Sequence, residues 1–248
     1  MKLLLDIGNS SVNWAIQEHD DFTHYGAFSY KKDHFADDLQ ENIFLSETPN
    51  DVLVSNVAGE KVFNTLYSWV EKKWRKELWE ASVTSNYKEL KNSYADSQQM
   101  GVDRWLAMVA CWEEYHTAVC LVGCGTALTI DLIDVEGQHL GGYIIPGIDL
   151  MQRVLVSKTE QINVNISNQA SLDYAKDTQT AINNGAFMAA VSMINNVTNN
   201  FSKELPSEPK YILSGGMGEL TKPFLNSPFE YRPNLVLSGL SIIYKSSL

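Results

Sequence analysis

Three short stretches carry side chains able to do chemistry: LLLDIGNSSVNWAI (residues 3–16), GVDR (101–104) and GCGTALTID (123–131). In the first, Asp6 closes an apolar run and Gly8, Asn9 and Ser10 follow it. A turn of glycine and small polar residues offers successive backbone N–H groups to a concavity, a natural seat for phosphate oxygens. A carboxylate at its mouth suits the magnesium ion that travels with a nucleotide, held through water because Mg²⁺ dehydrates reluctantly. The plain alternative is a hairpin whose Asn and Gly merely suit positive φ.

Gly125 and Thr126 repeat this arrangement. Residues 3–16 and 120–133 align at a constant offset, matching apolar run, turn glycine, small turn residues and second strand. Such self-similarity points to two α/β halves, each opening on a glycine-turn hairpin, with the two turns facing a cleft. Between them, QQMGVDRWLAMVACW (98–112) reads as a helix opened by Gly101, with an apolar face through Val102, Leu106, Val109 and Ala110. An acid in its first turn is favoured by the helix dipole, which gives Asp103 a structural explanation, but a cation there is disfavoured and Arg104 needs another role. Side by side they suit a base for a hydroxyl proton and a fork for a carboxylate. Near the end of the chain, LSGGMGEL (213–220) breaks a strand into Gly215, Gly216 and Gly218, leaving room for a flat group such as adenine or ribose, or forming an ordinary strand-to-helix turn.

The elements that position these groups follow from hydrophobic periodicity. Strands are expected at 3–7, 11–16, 22–30 and 51–59, with helices at 33–45 and 61–79. A second series has a hairpin over 118–134, a strand over 139–148, a long helix over 177–201 and the strand opening KYILSGGMGEL. Three strands, helix, strand, helix thus occur twice, and the expected division is 1–105 and 106–248.

Composition narrows the classes. The 248 residues are 44% hydrophobic, enough for full cores without cross-links. A net charge of −11 repels phosphate backbones, and the basic cluster Lys72, Lys73, Arg75 and Lys76 among Trp69, Trp74 and Trp79 reads as a solvated helix face. Nucleic acid is not an expected partner. Three cysteines with no CxxC pair point to a reducing compartment, and no stretch approaches the roughly 18 apolar residues of a membrane span. A cytoplasmic location is expected. There is no GK dipeptide for a Walker loop, and Leu128 breaks GxGxxG.

DIGNS (6–10), GVDR (101–104), GTALTID (125–131), GGYIIPG (141–147), SGGMG (214–218) and NLVLSGL (234–240) stand in order along nearly the whole chain. In this the sequence resembles the type III pantothenate kinases of the acetate and sugar kinase, Hsp70 and actin superfamily. The resemblance implies two duplicated ribonuclease H-like (actin-like ATPase) domains, mixed sheets flanked by helices, with a cleft between them. It implies transfer of the ATP γ-phosphate to pantothenate, the first step of coenzyme A synthesis, with Mg²⁺ and a monovalent cation such as K⁺ or NH₄⁺, in a homodimer. Residue by residue, Asp6 would serve the metal, and Gly8, Asn9, Ser10, Gly125, Thr126, Gly215 and Gly216 the ATP. Asp103 would be the general base. Tyr94, Gly101, Val102, Asp103, Arg104 and Thr180 would contact pantothenate, and Asp131 would bind potassium. The long helix, with Ala189, Ala190, Met193 and Ile194 on one side, is a candidate dimer face. One departure stands out: the superfamily's second phosphate motif commonly reads DxGT, and Gly123 occupies the acidic position here. Another small-molecule kinase of the superfamily and a nucleotide-dependent regulator are the rival readings.

Overall fold

The computed structural model describes residues 1–158 and 169–248, which form two compact units. The first comprises residues 1–85, 94–110 and 235–248, and the second residues 86–93 and 111–234.

In the first unit, β1 (Lys2–Ile7), β2 (Ser11–Glu18) and β3 (Asp21–Ser29) form an antiparallel meander, α1 (Phe35–Asn42) follows, and β4 (Asp51–Asn56) lies parallel to β1. Then come α2 (Glu60–Trp74) and β5 (Leu78–Glu80), which completes the sheet order β3-β2-β1-β4-β5. Alternation along β1 and β4 sends Leu3, Leu5, Val52 and Val54 into a core shared with Phe35 and Leu39 of α1 and Val62, Leu66 and Val70 of α2. The expected helix over 61–79 ends early. Arg75 takes a left-handed conformation (φ 55°) and caps α2, so Leu78 and Trp79 fall in β5 instead. Only part of the basic cluster is a helix face: Lys72 and Lys73 lie in the last turn of α2, whereas Arg75 is its cap and Lys76 follows it. Lys73 lies over the rings of Trp69 and Trp74 and donates to the Ile43 carbonyl, while both indoles pack against the core.

A short hairpin, β6 (Asn86–Tyr87) and β7 (Leu90–Lys91), precedes α3 (Val102–Tyr115). The second unit then repeats the first. Its strands β8 (Val119–Cys124), β9 (Ala127–Ile133) and β10 (His139–Pro146) make the meander. They are followed by α4 (Ile148–Lys158), α5 (Thr178–Glu204), β11 (Lys210–Ser214), α6 (Gly218–Thr221) and β12 (Glu230–Tyr231). Its sheet order, β10-β9-β8-β11-β12, is the same 3-2-1-4-5 arrangement, antiparallel through the meander and parallel beyond it. The duplication read from the two hairpins therefore extends to whole sheets.

The units differ from a single cut at residue 105. The last helix, α7 (Leu235–Ser246), buries Leu235, Leu237, Leu240 and Tyr244, and returns to pack on β1 and β4 of the first unit. Ser241 there donates to Gln17 Oε1 at 2.9 Å. A Cβ at Gly239 would lie 1.9 Å from the Leu106 carbonyl oxygen, so glycine is what lets α7 lie against α3. Residues 86–93 belong to the second unit, where Leu90 is buried and Lys88 pairs with Glu113 at 2.7 Å. All three cysteines are buried and unbridged, and burial pushes the Cys124 thiol up to about 12.

Candidate active site

Asp6 is the penultimate residue of β1. The hairpin register sets it opposite Asn13, and parallel pairing with β4 sets it beside Ser55. Ser55 Oγ donates to Oδ1 at 3.1 Å and Asn13 Nδ2 donates weakly to Oδ2 at 3.5 Å. Among the described residues no cation pairs with this carboxylate. Burial, and secondarily the charge of Asp103, push its pKa up from 3.8 to about 7, against the lowering effect of Ser55 and Asn13. A buried carboxylate near a second carboxylate, with only neutral donors, fits a divalent cation that would relieve the repulsion.

The turn beyond it is fastened at both ends. Gly8 N–H donates to the Ser11 carbonyl at 2.9 Å, Tyr30 Oη donates to the Gly8 carbonyl at 2.7 Å, and Tyr30 N–H donates to the Ser10 carbonyl at 3.2 Å. Asn9 and Ser10 remain exposed at its tip.

Asp103 and Arg104 occupy the first turn of α3 in this same unit. The Asp103 carboxylate folds back, with Oδ1 accepting from Arg104 N–H at 2.8 Å. A Cβ at Gly101 would stand 2.5 Å from that oxygen, so Gly101 keeps the space open. Val102 turns its side chain into the core. Arg104 is 8% exposed; its Nη1 donates to Tyr94 Oη at 3.0 Å and the guanidinium lies over the Tyr94 ring. The structure thus joins Tyr94 to Arg104 and brings the Asp103 charge to bear on Asp6.

In the second unit, Gly125 N–H donates to the Ala127 carbonyl at 3.1 Å, and the exposed Gly125-Thr126 turn rests directly on Gly147. A Cβ at Gly147 would lie 2.2 Å from the Gly125 oxygen and 2.7 Å from that of Thr126. Gly215 has φ 89° and packs against the Cys124 backbone, while a side chain at Gly216 would meet open space. The departure at Gly123 is filled from across the ladder: its partner Thr129 places Oγ1 2.6 Å from where a Cβ would stand.

Asp131 and Thr180 have other local partners. The Asp131 side chain is 1% exposed, and its Oδ1 lies 3.2 Å from Nε2 of the fully buried His139, whose Nδ1 lies 3.0 Å from Ser93 Oγ. Asp131 is thus held at the end of a buried His139–Ser93 relay within the second unit. Thr180 forms part of the α5 cap: its N–H donates to Asp177 Oδ1 at 2.9 Å and its hydroxyl to Oδ2 at 2.8 Å. Sequence reasoning missed Ser55, Tyr30, Tyr231, Thr129 and His139. Asn13 was available to it, because a hairpin turning at residues 9 and 10 must set residue 13 opposite residue 6.

A sequence profile of the type III pantothenate kinases matches residues 2–200. The chain is 34% identical to the type III pantothenate kinase of Nitrosococcus oceani, over all of this chain and 95% of that one. It is likewise 34% identical to that of Methylobacillus flagellatus, over 96% of this chain and 95% of that one. Among solved structures, it is similar to a putative Baf family transcriptional activator from Campylobacter jejuni (TM-score 0.63, 24% identity, 99% and 98% of the two chains). It is also similar to MreB 5 of Spiroplasma citri bound to AMPPNP (TM-score 0.53, 10% identity, 99% and 96%). At such identities these two likenesses speak to the fold, the actin-like ATPase fold of paired α/β domains. Full-length similarity to named relatives, with the repeated five-stranded topology, shows that the chain belongs to the type III pantothenate kinase family.

Proposed function

We infer that the chain catalyses ATP-dependent phosphorylation of pantothenate, with Asp103 as the base for the acceptor hydroxyl. The observation that carries the assignment of Asp103 is its setting: a carboxylate in the first turn of α3, beside the Arg104–Tyr94 pair and electrostatically coupled to Asp6. Phosphoryl transfer asks the protein to align donor and acceptor, neutralise charge and exclude water. Arg104 supplies a fork for the pantothenate carboxylate and Tyr94 holds that fork in place, with Gly101 and Val102 lending backbone to the same pocket. Asp103, near a helix N-terminus, accepts the hydroxyl proton as the new P–O bond forms. Thr180 would contact pantothenate from the first turn of α5.

Gly8, Asn9 and Ser10 in the first unit, and Gly125, Thr126, Gly215 and Gly216 in the second, are the proposed ATP-binding turns, each offering N–H groups where glycine permits close approach. Magnesium, when bound, neutralises phosphate charge, and Asp6 would hold it through water. Asp131, beside His139, is the proposed ligand of a monovalent cation, K⁺ or NH₄⁺. The direct test is formation of phosphopantothenate from ATP and pantothenate, detected by mass. No product from this pair would remove the reading, and phosphorylation of a different alcohol would favour another kinase of the superfamily.

We also propose a homodimer, built on the second unit. There β10 is an edge strand exposing Tyr143 and Ile144, and α4 and α5 border an apolar groove of about 590 Å³ that includes Val154, Leu155 and Ile182. The face of α5 expected from sequence is divided between the core and the outer side. Ala190 and Ile194 are in the unit's own core with Met193 against them, and the outer side carries Ala181, Gly185, Met188 and Ala189. A cytoplasmic location fits this reading, and no helix among the described residues is long and apolar enough to cross a membrane.

A further inference from the structure

We propose that Tyr30 and Tyr231 are positioning residues for the nucleotide: each phenol pins the carbonyl of a turn glycine and so aims the next backbone N–H outward. The inference rests on the reading of these turns as ATP-binding.

In a trans peptide the carbonyl and the following N–H point in opposite directions within one rigid plane. Fixing the Gly8 carbonyl therefore fixes the direction of Asn9 N–H, and fixing that of Gly215 fixes Gly216 N–H. Glycine makes such control necessary. Without a Cβ, the peptide planes beside it rotate at little steric cost, and a reversed plane would turn a carbonyl oxygen toward an anion.

Tyr30 does this for the first unit. Its hydroxyl donates to the Gly8 carbonyl at 2.7 Å while its own N–H donates to that of Ser10 at 3.2 Å, so a single residue brackets exposed Asn9 from both sides. Its ring is buried and packs on Phe35 at 4.6 Å between centroids, which anchors the hydroxyl to the core. Burial also raises the phenol's pKa, so it remains a donor throughout the working pH range.

Tyr231 reproduces the contact in the second unit from an unrelated place in the topology. Its hydroxyl donates to the Gly215 carbonyl at 3.1 Å, and Gly218 N–H donates to the same oxygen at 3.0 Å, engaging both lone pairs. The ring passes over Gly218, where a Cβ would stand 2.6 Å from it, so that third glycine of SGGMG makes room for the tyrosine. Tyr30 follows the third strand of its meander and Tyr231 ends the last strand of its sheet, so the duplication did not copy one tyrosine into the other position. Each unit reaches the same constraint separately.

The test is Tyr30→Phe and Tyr231→Phe in the full chain, which keep both rings and remove only the hydroxyls. Loss of one net hydrogen bond's worth of orientation raises the KM for ATP about fivefold in each variant. Turnover at saturation and the KM for pantothenate are expected to stay within about twofold, and calorimetric affinity for MgATP falls in step with KM. An unchanged KM for ATP in both variants overturns the proposal. So does equal weakening toward both substrates with a lowered melting temperature, which a merely structural tyrosine would produce. Wild-type protein that bound no MgATP would instead remove the functional reading itself.

Discussion

Asp103, in the first turn of α3, acts through space on Asp6, near the end of β1: its charge helps raise the pKa of Asp6 to about 7. Two acids are rarely held near one another without something to gain from it, since each opposes ionisation of the other. Here the pair combines a group suited to a divalent ion with one suited to an acceptor proton.

The two acids are separable by mutation. Asp103→Asn preserves shape and the nearby hydrogen-bonding capacity but cannot take a proton. Turnover is expected to fall by about two or more orders of magnitude while ATP and pantothenate still bind, as measured by steady-state kinetics alongside calorimetry. Unimpaired turnover would remove Asp103 from the chemistry.

Asp6 gives the metal-free protein a distinctive pH response. Its pKa is raised on folding, so between 3.8 and about 7 the folded chain keeps a proton that the unfolded chain has released. The associated stability is complete below that window and is lost as pH rises through about 7, on the order of a few kcal/mol. Urea unfolding without metal should show wild type losing more stability than Asp6→Asn between pH 5 and pH 8. Magnesium, which favours the ionised form, should restore wild type at pH 8, and its apparent affinity should weaken below pH 7. Parallel pH profiles for the two proteins would contradict this.

His139 and Asp131 form a buried pair whose worth shows when one member is lost. His139→Ala removes one hydrogen-bonding partner from the buried Asp131 carboxylate, and a loss of about 1–3 kcal/mol is expected by chemical denaturation. Asp131→Asn is expected to lose activation by potassium, read from steady-state rates with and without the ion. A potassium response equal to that of wild type would remove Asp131 from cation binding.

Gly147→Ala is expected to displace the Gly125–Thr126 turn, the proposed second phosphate turn. The added methyl would meet the Gly125 carbonyl oxygen at 2.2 Å, well inside contact distance, and backbone must move to relieve it. A raised KM for ATP with loss of about 1–3 kcal/mol of stability is the expected outcome. A variant indistinguishable from wild type would mean that the turn's close contact with Gly147 carries no weight.

Ile144→Asp tests the proposed dimer. Placing a charge on the exposed edge strand should shift sedimentation from dimer toward monomer without lowering the monomer's own stability, because Ile144 is 58% exposed within one chain.

The sequence by itself determined the repeated meander, the glycine turns and the acidic start of α3. Each is local: alternation sets which face of a strand is buried, and glycine beside small polar residues sets a turn. Even the Asp6–Asn13 pair was implicit, because a hairpin's register follows from its turn. Tertiary structure alone decided the rest. It returned α7 to the first sheet, a choice between two similar apolar surfaces that amphipathic spacing in α7 cannot express. It placed Asp131 against His139 and Ser93, brought the Asp103 charge to Asp6, and set Tyr30 and Tyr231 on glycine carbonyls. These relationships join residues far apart in the chain or on different strands, where partner identity depends on packing and register and leaves no periodic trace in composition.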